Sequence, residues 1–359
     1  MKKVAVILAG GGGTRFWPIS RMSCPKQLVA LTSEEPMINE TIHHFENVVS
    51  MEDTYIVTNK EQANLMKELL PRSFNFDNIM IEPVGKNTAP CILYSVMRIH
   101  KAYGDTLMAV LAADHHISDI GEYERILSLA YKTAEETNKI VTIGLWPKEA
   151  ATGYGYIRFG EREGDRKEVY QLERFVEKPN KLRAQEYVNS HKYLWNSGMF
   201  IWRTSVILEA FKKYLPDMYK TFASVEKDLL TENEQAAINS IYPNLESVSV
   251  DYGIMEKTKE VCVIPAEFGW NDVGSWDALA EVFRHTEEDN VIRAPFVGIE
   301  TENCIVFSKS GKRVITTVGV SDLVIVDTDD AIMVINRERS QDVKKLVEEL
   351  RRQGRTDLL

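Results

Sequence analysis

Residues 1–31 read MKKVAVILAGGGGTRFWPISRMSCPKQLVAL, an apolar run that stops at four glycines and continues into a segment with two prolines. The run at 4–9 predicts a buried central strand, and the glycines predict a loop whose backbone N–H groups are open to a ligand. The segment contains five lysines and arginines and no carboxylate, although the whole chain has a formal net charge of −10. We therefore expect the loop to bind an anion, and in particular a phosphate.

Two better-known glycine loops do not fit this segment. A P-loop requires GxxxxGK[ST], but Arg15 occupies the position of its second glycine. A dinucleotide-binding loop requires GxGxxG, but Phe16 stands where its third glycine would be. A flexible turn is the remaining structural explanation. Pro18 and Pro25 argue against flexibility, because each proline fixes its own φ angle.

Strand-like apolar runs alternate with segments of helical period between residues 55 and 145. This alternation predicts an α/β fold with a Rossmann-like, mostly parallel sheet flanked by helices. Ligands of such sheets bind at the carboxyl ends of the strands. The glycine loop, Glu82 and Asp114 each follow such an end, so we expect one crevice to contain all three. The predicted strands are 55–58, 78–82, 107–112 and 141–145, and the predicted helices are 61–70, 88–103 and 123–136.

Short β-rich runs replace this pattern after residue 288. They lie at 304–308, 314–317, 323–327 and 331–335 and are followed by an amphipathic segment at 341–352. We therefore predict a catalytic domain at 1–288. A small β-rich, short β-helix-like domain with a terminal helix is predicted at 289–359. Because this second domain lacks residues typical of catalysis, we expect it to have a structural or oligomer-forming role. We therefore expect two copies of the chain to associate as a homodimer.

Composition narrows the functional classes. With a pI near 5.4, the chain is a poor candidate for a nucleic-acid binder. No apolar run reaches transmembrane length, so no membrane partner is expected. The four cysteines lie far apart without a CxxC pair, which favours neither a zinc site nor a disulfide framework. We expect a cytoplasmic protein.

Asp114 and Asp272 are the candidate metal ligands. One Mg²⁺ held by one or two carboxylates and phosphate oxygens would suit a phosphate-binding site. Each aspartate has an alternative explanation as a cap of a turn or helix. His115 and His116 follow Asp114, and this triplet resembles that of a phosphoesterase family. Such hydrolases hold two metals and need further Asp/His clusters, which the sequence does not show.

Two segments suit a ring that carries many hydroxyl groups. Residues 153–156 and 195–199 combine aromatic, small and amide side chains, which stack and form hydrogen bonds, although each could also be a turn with a packed aromatic residue. Glu177 and Lys178 end a predicted strand just before Pro179. Taken alone, this acid and this cation would be an exposed pair of little energetic value.

These motifs together resemble the nucleoside-diphosphate-sugar pyrophosphorylases along nearly the whole chain, and most closely the branch that joins GTP to mannose 1-phosphate. The departures from the family pattern are the additional glycine at Gly12 and the residues 84–86 before Asn87. The matching segments are 8–18, 20–21, 25–27, 82–83, 87–90, 112–115, 153–155, 175–179, 196–198 and 269–276.

The resemblance implies a reaction in which mannose 1-phosphate attacks GTP, so that GDP-mannose forms and pyrophosphate leaves. It implies catalytic roles for Arg15, Lys26, Asp114 and Asp272, with Mg²⁺ on Asp114 and Asp272. The sugar phosphate is expected at Gly153, Tyr154, Glu177, Lys178 and Asn196. The nucleotide is expected at Leu8, Ala9, Gly10, Gly11, Gly13, Thr14, Arg15, Glu82, Asn87 and Thr88.

Glu82 is our candidate for recognition of the base. Guanine presents N1–H and N2–H side by side, and one carboxylate can accept both hydrogen bonds, whereas uracil, adenine and thymine lack this pair of donors. A carboxylate that caps the following turn is the alternative.

Other functions remain open from the sequence. They are a guanylyltransferase for another sugar 1-phosphate, a non-catalytic subunit that binds nucleotide sugars, and a metal-dependent phosphoesterase. Longer members of the family have a further C-terminal isomerase domain, and because the resemblance ends at Leu359 without it we expect only the transferase activity.

Overall fold

The structure is a computed structural model that describes all residues from 1 to 359. The glycine-loop strand, β1 (Lys3–Leu8), lies between two parallel neighbours, β2 (Thr54–Asn59) and β4 (Leu107–Ala112), and β3 (Ile79–Glu82) extends the sheet beyond β2. Val4 and Val6 belong to one hydrophobic core and Ala5 and Ile7 to the other. Since side chains alternate along a strand, β1 is buried on both faces. The predicted central strand and the parallel half of the sheet are confirmed.

Helices cover both faces of the sheet and begin at polar caps. Side chains of Asn59, Asn87 and Asp119 accept hydrogen bonds from the first turns of α2, α3 and α4. The three predicted helices therefore exist, with bounds that differ by up to three residues. The helices are α1 (Met37–His43), α2 (Lys60–Leu69), α3 (Thr88–Tyr103), α4 (Ile120–Thr137), α5 (Lys181–Ser190), α6 (Thr204–Tyr214), α7 (Pro216–Ala223), α8 (Glu234–Ile241), α9 (Trp276–Ala280) and α10 (Val343–Arg352).

The other half of the sheet is mixed rather than parallel. β9 (Tyr193–Arg203) runs antiparallel between β4 and β6 (Ile140–Leu145). β10 (Val261–Ala266) is parallel to β6, and β8 (Tyr170–Val176) and β7 (Tyr156–Arg162) complete the nine strands in antiparallel pairs. A short turn joins β7 to β8, so this pair needs no crossover helix. Two short strands, β5 (His116–Ile117) and β11 (Trp270–Asn271), pair outside the main sheet.

The C-terminal strands alternate between two small sheets. One sheet contains β12 (Val291–Arg293), β14 (Ile305–Ser308) and β16 (Leu323–Asp327), all parallel, with β17 (Ile332–Asn336) antiparallel at the edge. The other pairs β13 (Phe296–Glu302) with β15 (Ile315–Ser321), also in parallel. Successive strands thus coil from one sheet to the other, and the predicted β-helix-like region is confirmed.

The C-terminal region packs directly against the segment that follows the glycine loop. Phe16 and Trp17 share a buried cluster with Met333 and Val347. The Trp17 indole N–H also donates a buried hydrogen bond of 2.8 Å to the Leu358 carbonyl. The boundary at 288/289 stays a prediction, and the two regions share this core. None of the helices is both long enough and apolar enough to cross a membrane.

Candidate active site

The glycine loop leaves its backbone donors free. No backbone N–H from Gly10 to Gly13 has a hydrogen-bond acceptor within the protein. Gly10, Gly11 and Gly13 line a cavity of about 320 Å³. Neighbouring N–H groups without partners at the wall of a cavity are a site for an anion.

Two buried glutamines hold the opposite side of this loop. Gln62 donates to the Gly11 carbonyl at 3.2 Å, and Gln27 donates to the Gly10 carbonyl at 3.4 Å and to the Gln62 side chain at 2.9 Å. The carbonyl groups of Gly10 and Gly11 are thus hydrogen-bonded to protein side chains, whereas the N–H groups of the loop are not. Gln27 lies in the matching segment 25–27, where we predicted no role for it, and Gln62 was not predicted from the sequence. The signal for Gln62 is a polar residue on the buried face of the amphipathic α2.

Gly13 is required by its surroundings. Its φ is 53°, which favours glycine, and a Cβ atom there would lie 2.5 Å from the backbone nitrogen of Lys26. The glycine loop therefore packs directly against the backbone of Lys26.

The Lys26 ammonium links the two predicted metal ligands. It donates to Oδ2 of Asp114 at 3.1 Å, to the Asp114 carbonyl at 2.8 Å and to the Asp272 carbonyl at 2.6 Å. Burial acts to raise the pKa of Asp114, but the charge of Lys26 outweighs it, so the pKa of this carboxyl lies below its ordinary value. Asp114 is therefore ionised at neutral pH. Thr14 and Arg15 line the same cavity, and Arg15 lies within 3.4 Å of the Gly274 carbonyl.

Asp272 is held in place by two donors. Its Oδ1 accepts from the Tyr154 hydroxyl at 2.9 Å and from the Gly274 N–H at 3.1 Å. Val273, the next residue, has a φ of 45° although it is β-branched, and its side chain is fully buried. Such a conformation persists only where the surroundings fix it, and it is typical of functional sites. Ser275, not Asp272, caps α9, so the explanation of Asp272 as a helix cap is wrong.

The histidines after Asp114 do not complete a metal cluster. The Trp270 indole N–H donates to Nδ1 of His115 at 3.1 Å, and burial holds the pKa of His115 below its ordinary value. His115 is therefore neutral and engaged. No group of three or more His, Cys, Asp or Glu side chains converges as a metal site, so the structure offers no second cluster for a two-metal phosphoesterase.

A second cavity of about 590 Å³ extends from the glycine loop to both predicted binding ends. Glu82 lies at its base end and accepts a short hydrogen bond from the Tyr242 hydroxyl. Burial raises the pKa of Glu82 to about 7. Asn87 caps α3, and the Thr88 hydroxyl accepts from the Val250 N–H at 2.9 Å. Tyr242 is distant in sequence, and we did not predict it as a partner of Glu82.

The predicted sugar end of this cavity is lined by Glu177, Lys178 and Asn196. Glu177 and Lys178 form a short ion pair, and Lys178 has a left-handed φ of 42°. Burial acts to lower the pKa of Lys178, but the contact with Glu177 raises it overall, so the ammonium stays charged. A Cβ at Gly155 would lie 2.4 Å from Glu177 Oε2, so this glycine lets the carboxylate approach.

Asp251 also lies at this end of the cavity, and we did not predict it from the sequence. It lines the cavity, and its Oδ1 accepts from Nδ2 of Asn196 at 3.0 Å. Burial, with the nearby charge of Glu177 as a second cause, raises the pKa of Asp251 to about 6.

All but one of the predicted site residues line these two cavities. The exception is Ala9, whose side chain lies in the hydrophobic core. Its carbonyl accepts hydrogen bonds from Thr58 at 2.9 Å and from Gln27 at 3.2 Å. Ala9 therefore supports the loop from the core side, and its role as a nucleotide contact stays a prediction.

Residues 4–289 match the family model of the nucleotidyl transferases. The chain belongs to this family. Residues 295–350 of this nucleotidyl transferase match the mannoseP isomerase/GMP-like beta-helix domain. The predicted family and fold class are therefore confirmed.

Named relatives of this nucleotidyl transferase are similar over nearly its whole length. The mannose-1-phosphate guanylyltransferase of Escherichia coli K12 is 40% identical over 366 residues, which cover 99% of this chain and 74% of the relative. The alginate biosynthesis protein AlgA of Pseudomonas aeruginosa is 37% identical, with 99% and 73% covered. A crystal structure from Thermus thermophilus, described as a mannose-1-phosphate geranyltransferase, superimposes with a TM-score of 0.87. It is 32% identical and covers 98% of this chain and 100% of that one.

Proposed function

We propose that this nucleotidyl transferase transfers GMP from GTP to mannose 1-phosphate, giving GDP-mannose and pyrophosphate. The relative from Escherichia coli is a mannose-1-phosphate guanylyltransferase, at 40% identity. The observation that carries the proposal is the set of groups that line the connected cavities. The two cavities share Gly10, Gly11 and Asp272 in their walls, and together they contain the base-end carboxylate Glu82, the free N–H groups with Arg15 and Lys26, and the sugar-end residues.

The reaction is an in-line displacement at the α-phosphorus of GTP. An oxygen of the sugar phosphate forms the new P–O bond while the bond to pyrophosphate breaks, and no covalent protein intermediate is needed. The chain contributes positioning and charge. The N–H groups of Gly10, Gly11 and Gly13 bind phosphate oxygens, and Arg15 and Lys26 stabilise the negative charge on the leaving pyrophosphate.

Lys178 binds the phosphate of the sugar substrate and holds it for attack. Its charge is maintained by Glu177, with which it forms an ion pair. Glu177, Asn196 and the backbone of Gly153 bind ring hydroxyls. Tyr154 contributes by holding Asp272 in place. At the other end, the two oxygens of Glu82 accept from N1–H and N2–H of guanine.

Asp114 and Asp272 fit a divalent cation, and we propose Mg²⁺. Both offer carboxylate oxygens, the hard donors that Mg²⁺ prefers, while the neighbouring imidazole of His115 is engaged by Trp270. Two protein carboxylates leave the remaining positions for phosphate oxygens and water, as is usual for Mg²⁺. When bound, the cation would supply neutralisation of phosphate charge between the two substrates.

Pyrophosphate release tests the proposal. The purified chain is assayed with Mg²⁺ and with GTP, ATP, UTP or dTTP, each combined with mannose 1-phosphate or glucose 1-phosphate, and Arg15→Ala serves as the inactive control. We expect release with GTP and mannose 1-phosphate. Release with another pair would leave the chemistry intact but assign another sugar or base. Release of inorganic phosphate instead would indicate a phosphoesterase, and binding of GDP-mannose without turnover a regulatory subunit.

We further propose that two copies associate through the outer side of β13 and β15. Ile299 and Val318 are cross-strand neighbours, and more than half of each side chain is exposed. Val297, on the same side of β13, is also more than half exposed. None of these three side chains is charged, so no like charges would oppose the association of two copies. A two-fold axis brings such an uncharged patch against its own copy. Light scattering should show a dimer, and a Val318→Asp variant should be monomeric; a monomeric wild-type protein would contradict this.

A further inference from the structure

Asp251 is a half-buried carboxylate that the reaction described above does not use. It begins a π-helical turn, Asp251–Met255, at the sugar end of the larger cavity. Its Oδ1 accepts from Asn196, while its Oδ2 accepts no hydrogen bond from the protein and remains open to the cavity. None of the ion pairs of the chain includes Asp251, and the nearby Lys178 is paired with Glu177.

A carboxylate in this position can accept further hydrogen bonds from a ligand that displaces water from the cavity. Removing an ionised group from water is unfavourable unless other polar groups replace the water. Only one such group, the Asn196 amide, is supplied by the protein. Burial together with Glu177 raises the pKa of Asp251 to about 6, so the group is mostly ionised at neutral pH. The open oxygen therefore faces the cavity as an acceptor.

The backbone around Asp251 is fixed by contacts with the base end of the site. The Val250 N–H donates to the Thr88 hydroxyl at 2.9 Å, and the Ala89 N–H donates to the Val248 carbonyl at 3.1 Å. Both contacts lie at the start of α3. The segment that contains Asp251 is thus hydrogen-bonded to the start of α3 at the base end, whereas Asn196 lies in β9 of the main sheet. The carboxylate lies where these two parts of the site meet.

We infer that Asp251 accepts a hydrogen bond from a ring hydroxyl of the sugar 1-phosphate and so helps to select which hexose is accepted. The inference rests on the proposed function. Asp251 contacts the Asn196 amide at 3.0 Å, and Glu177 lines the same cavity, so the two carboxylates suit different hydroxyls of one ring. A hydroxyl of the wrong configuration would leave Asp251 without its donor, and unpaired buried acceptors produce strong discrimination.

The test is a double-mutant cycle between the residue and the substrate. Asp251→Asn keeps the size of the side chain but removes the charge. It is assayed with mannose 1-phosphate and with its 2-deoxy, 3-deoxy, 4-deoxy and 6-deoxy derivatives. We expect KM for mannose 1-phosphate to rise roughly 10- to 100-fold, the effect of losing one hydrogen bond to a charged group, with KM for GTP unchanged. For one deoxy sugar, wild type and variant should have similar kcat/KM, because the partner hydroxyl is already missing.

Controls separate this result from damage to the fold. Glu256→Gln alters an exposed carboxylate at the end of the same turn and should leave all constants unchanged. If Asp251→Asn does not fold, as judged by circular dichroism and thermal melting, Asp251→Ser is put through the same cycle.

The outcomes distinguish this inference from the proposed function. If the wild-type protein is inactive, the proposed function itself is wrong. An active wild type with an unchanged KM in the variant, or with the same loss for every deoxy sugar, would overturn the role of Asp251 alone. If the wild type prefers another hexose 1-phosphate, the deoxy series is made from that hexose and the same coupling is expected.

Discussion

The Lys26 ammonium lies 3.1 Å from Oδ2 of Asp114, although 88 positions separate these residues in the chain. This contact joins the segment after the glycine loop to the end of β4. The cation is nearly buried, with 7% of its side chain exposed. Because this charge is shielded from water and held in place by its three acceptors, it is little screened and suits stabilisation of charge that develops on a leaving group.

We therefore expect Lys26→Ala to lower kcat for pyrophosphate release by roughly 10²-fold or more, the usual loss for a preorganised donor. Arg15→Ala should have an effect of the same order. Lys212→Ala is the matched control, because this lysine is exposed on α6 and pairs only with Glu209 on the same helix. Turnover near the wild-type value in Lys26→Ala or Arg15→Ala would show that the active site lies elsewhere.

Glu82 should determine the preference for guanine. In Glu82→Gln, one of the two acceptor oxygens is replaced by an NH₂ donor that faces a donor of the base. KM for GTP should rise roughly 10- to 100-fold, as expected for the loss of a hydrogen bond to a charged group, while KM for ATP changes little. Steady-state kinetics with both nucleotides measures the ratio. If the ratio of KM for ATP to KM for GTP is the same in the variant as in the wild type, Glu82 does not recognise guanine and only forms its hydrogen bond with Tyr242.

The same carboxylate predicts a pH dependence of GTP binding. Because its pKa is raised to about 7, Glu82 is increasingly protonated below that pH and can no longer accept both donors of guanine. KM for GTP should therefore rise as pH falls below about 7, by at most tenfold per unit. Tyr242→Phe removes a hydrogen bond that lowers this pKa, so the inflection should move to higher pH.

KM for ATP provides the control for this profile, since ATP has the same triphosphate but lacks the guanine donors. Its pH profile should not contain the inflection, and neither should that of Glu82→Gln with GTP. An inflection of equal size with both nucleotides would assign the titration to the phosphates instead.

The sequence predicted much of this site because the strands of a parallel sheet place their carboxyl ends at one edge. The glycine loop after β1, Glu82 as the last residue of β3 and Asp114 after β4 follow from that rule. It did not predict Tyr242 or Asp251, since neither lies in a recognisable motif and both reach the site from segments between α8 and β10. Their contacts with Glu82 and Asn196 depend on tertiary packing.

The mixed half of the sheet was missed for a similar reason. β9 has an apolar pattern that suits any central strand, and its direction is decided by its neighbours β4 and β6. The position of Ala9 outside both cavities has a local origin. This residue continues the apolar run towards the loop, but its side chain belongs to the core and its carbonyl binds Thr58.

The C-terminal region should stabilise the segment after the glycine loop through Trp17. Trp17→Phe removes the buried hydrogen bond to the Leu358 carbonyl and leaves an aromatic ring in the cluster. We expect the free energy of unfolding to fall by about 1–3 kcal/mol, because a buried acceptor loses its partner. Urea denaturation measures this change. Trp146→Phe, at an exposed indole, is the control, and equal losses in both variants would contradict a specific role for the contact.

Tyr154 should act on the reaction only through Asp272. Its hydroxyl donates to Oδ1 of Asp272 at 2.9 Å, and burial, reinforced by that carboxylate, raises the pKa of Tyr154, so the hydroxyl stays protonated. Tyr154→Phe leaves the ring between Trp195 and Trp270 but frees the carboxylate to rotate. Loss of a group that orients a metal ligand typically weakens metal binding 10- to 100-fold.

We therefore expect Tyr154→Phe to need roughly 10- to 100-fold more Mg²⁺ for half-maximal pyrophosphate release, with kcat at saturating Mg²⁺ near that of wild type. A Mg²⁺ titration at fixed substrate concentrations measures both values. Tyr219→Phe, at a tyrosine of α7 outside both cavities, should leave the titration unchanged. If Tyr154→Phe lowers kcat at every Mg²⁺ concentration without shifting the midpoint, the hydroxyl acts on a substrate directly and not through Asp272.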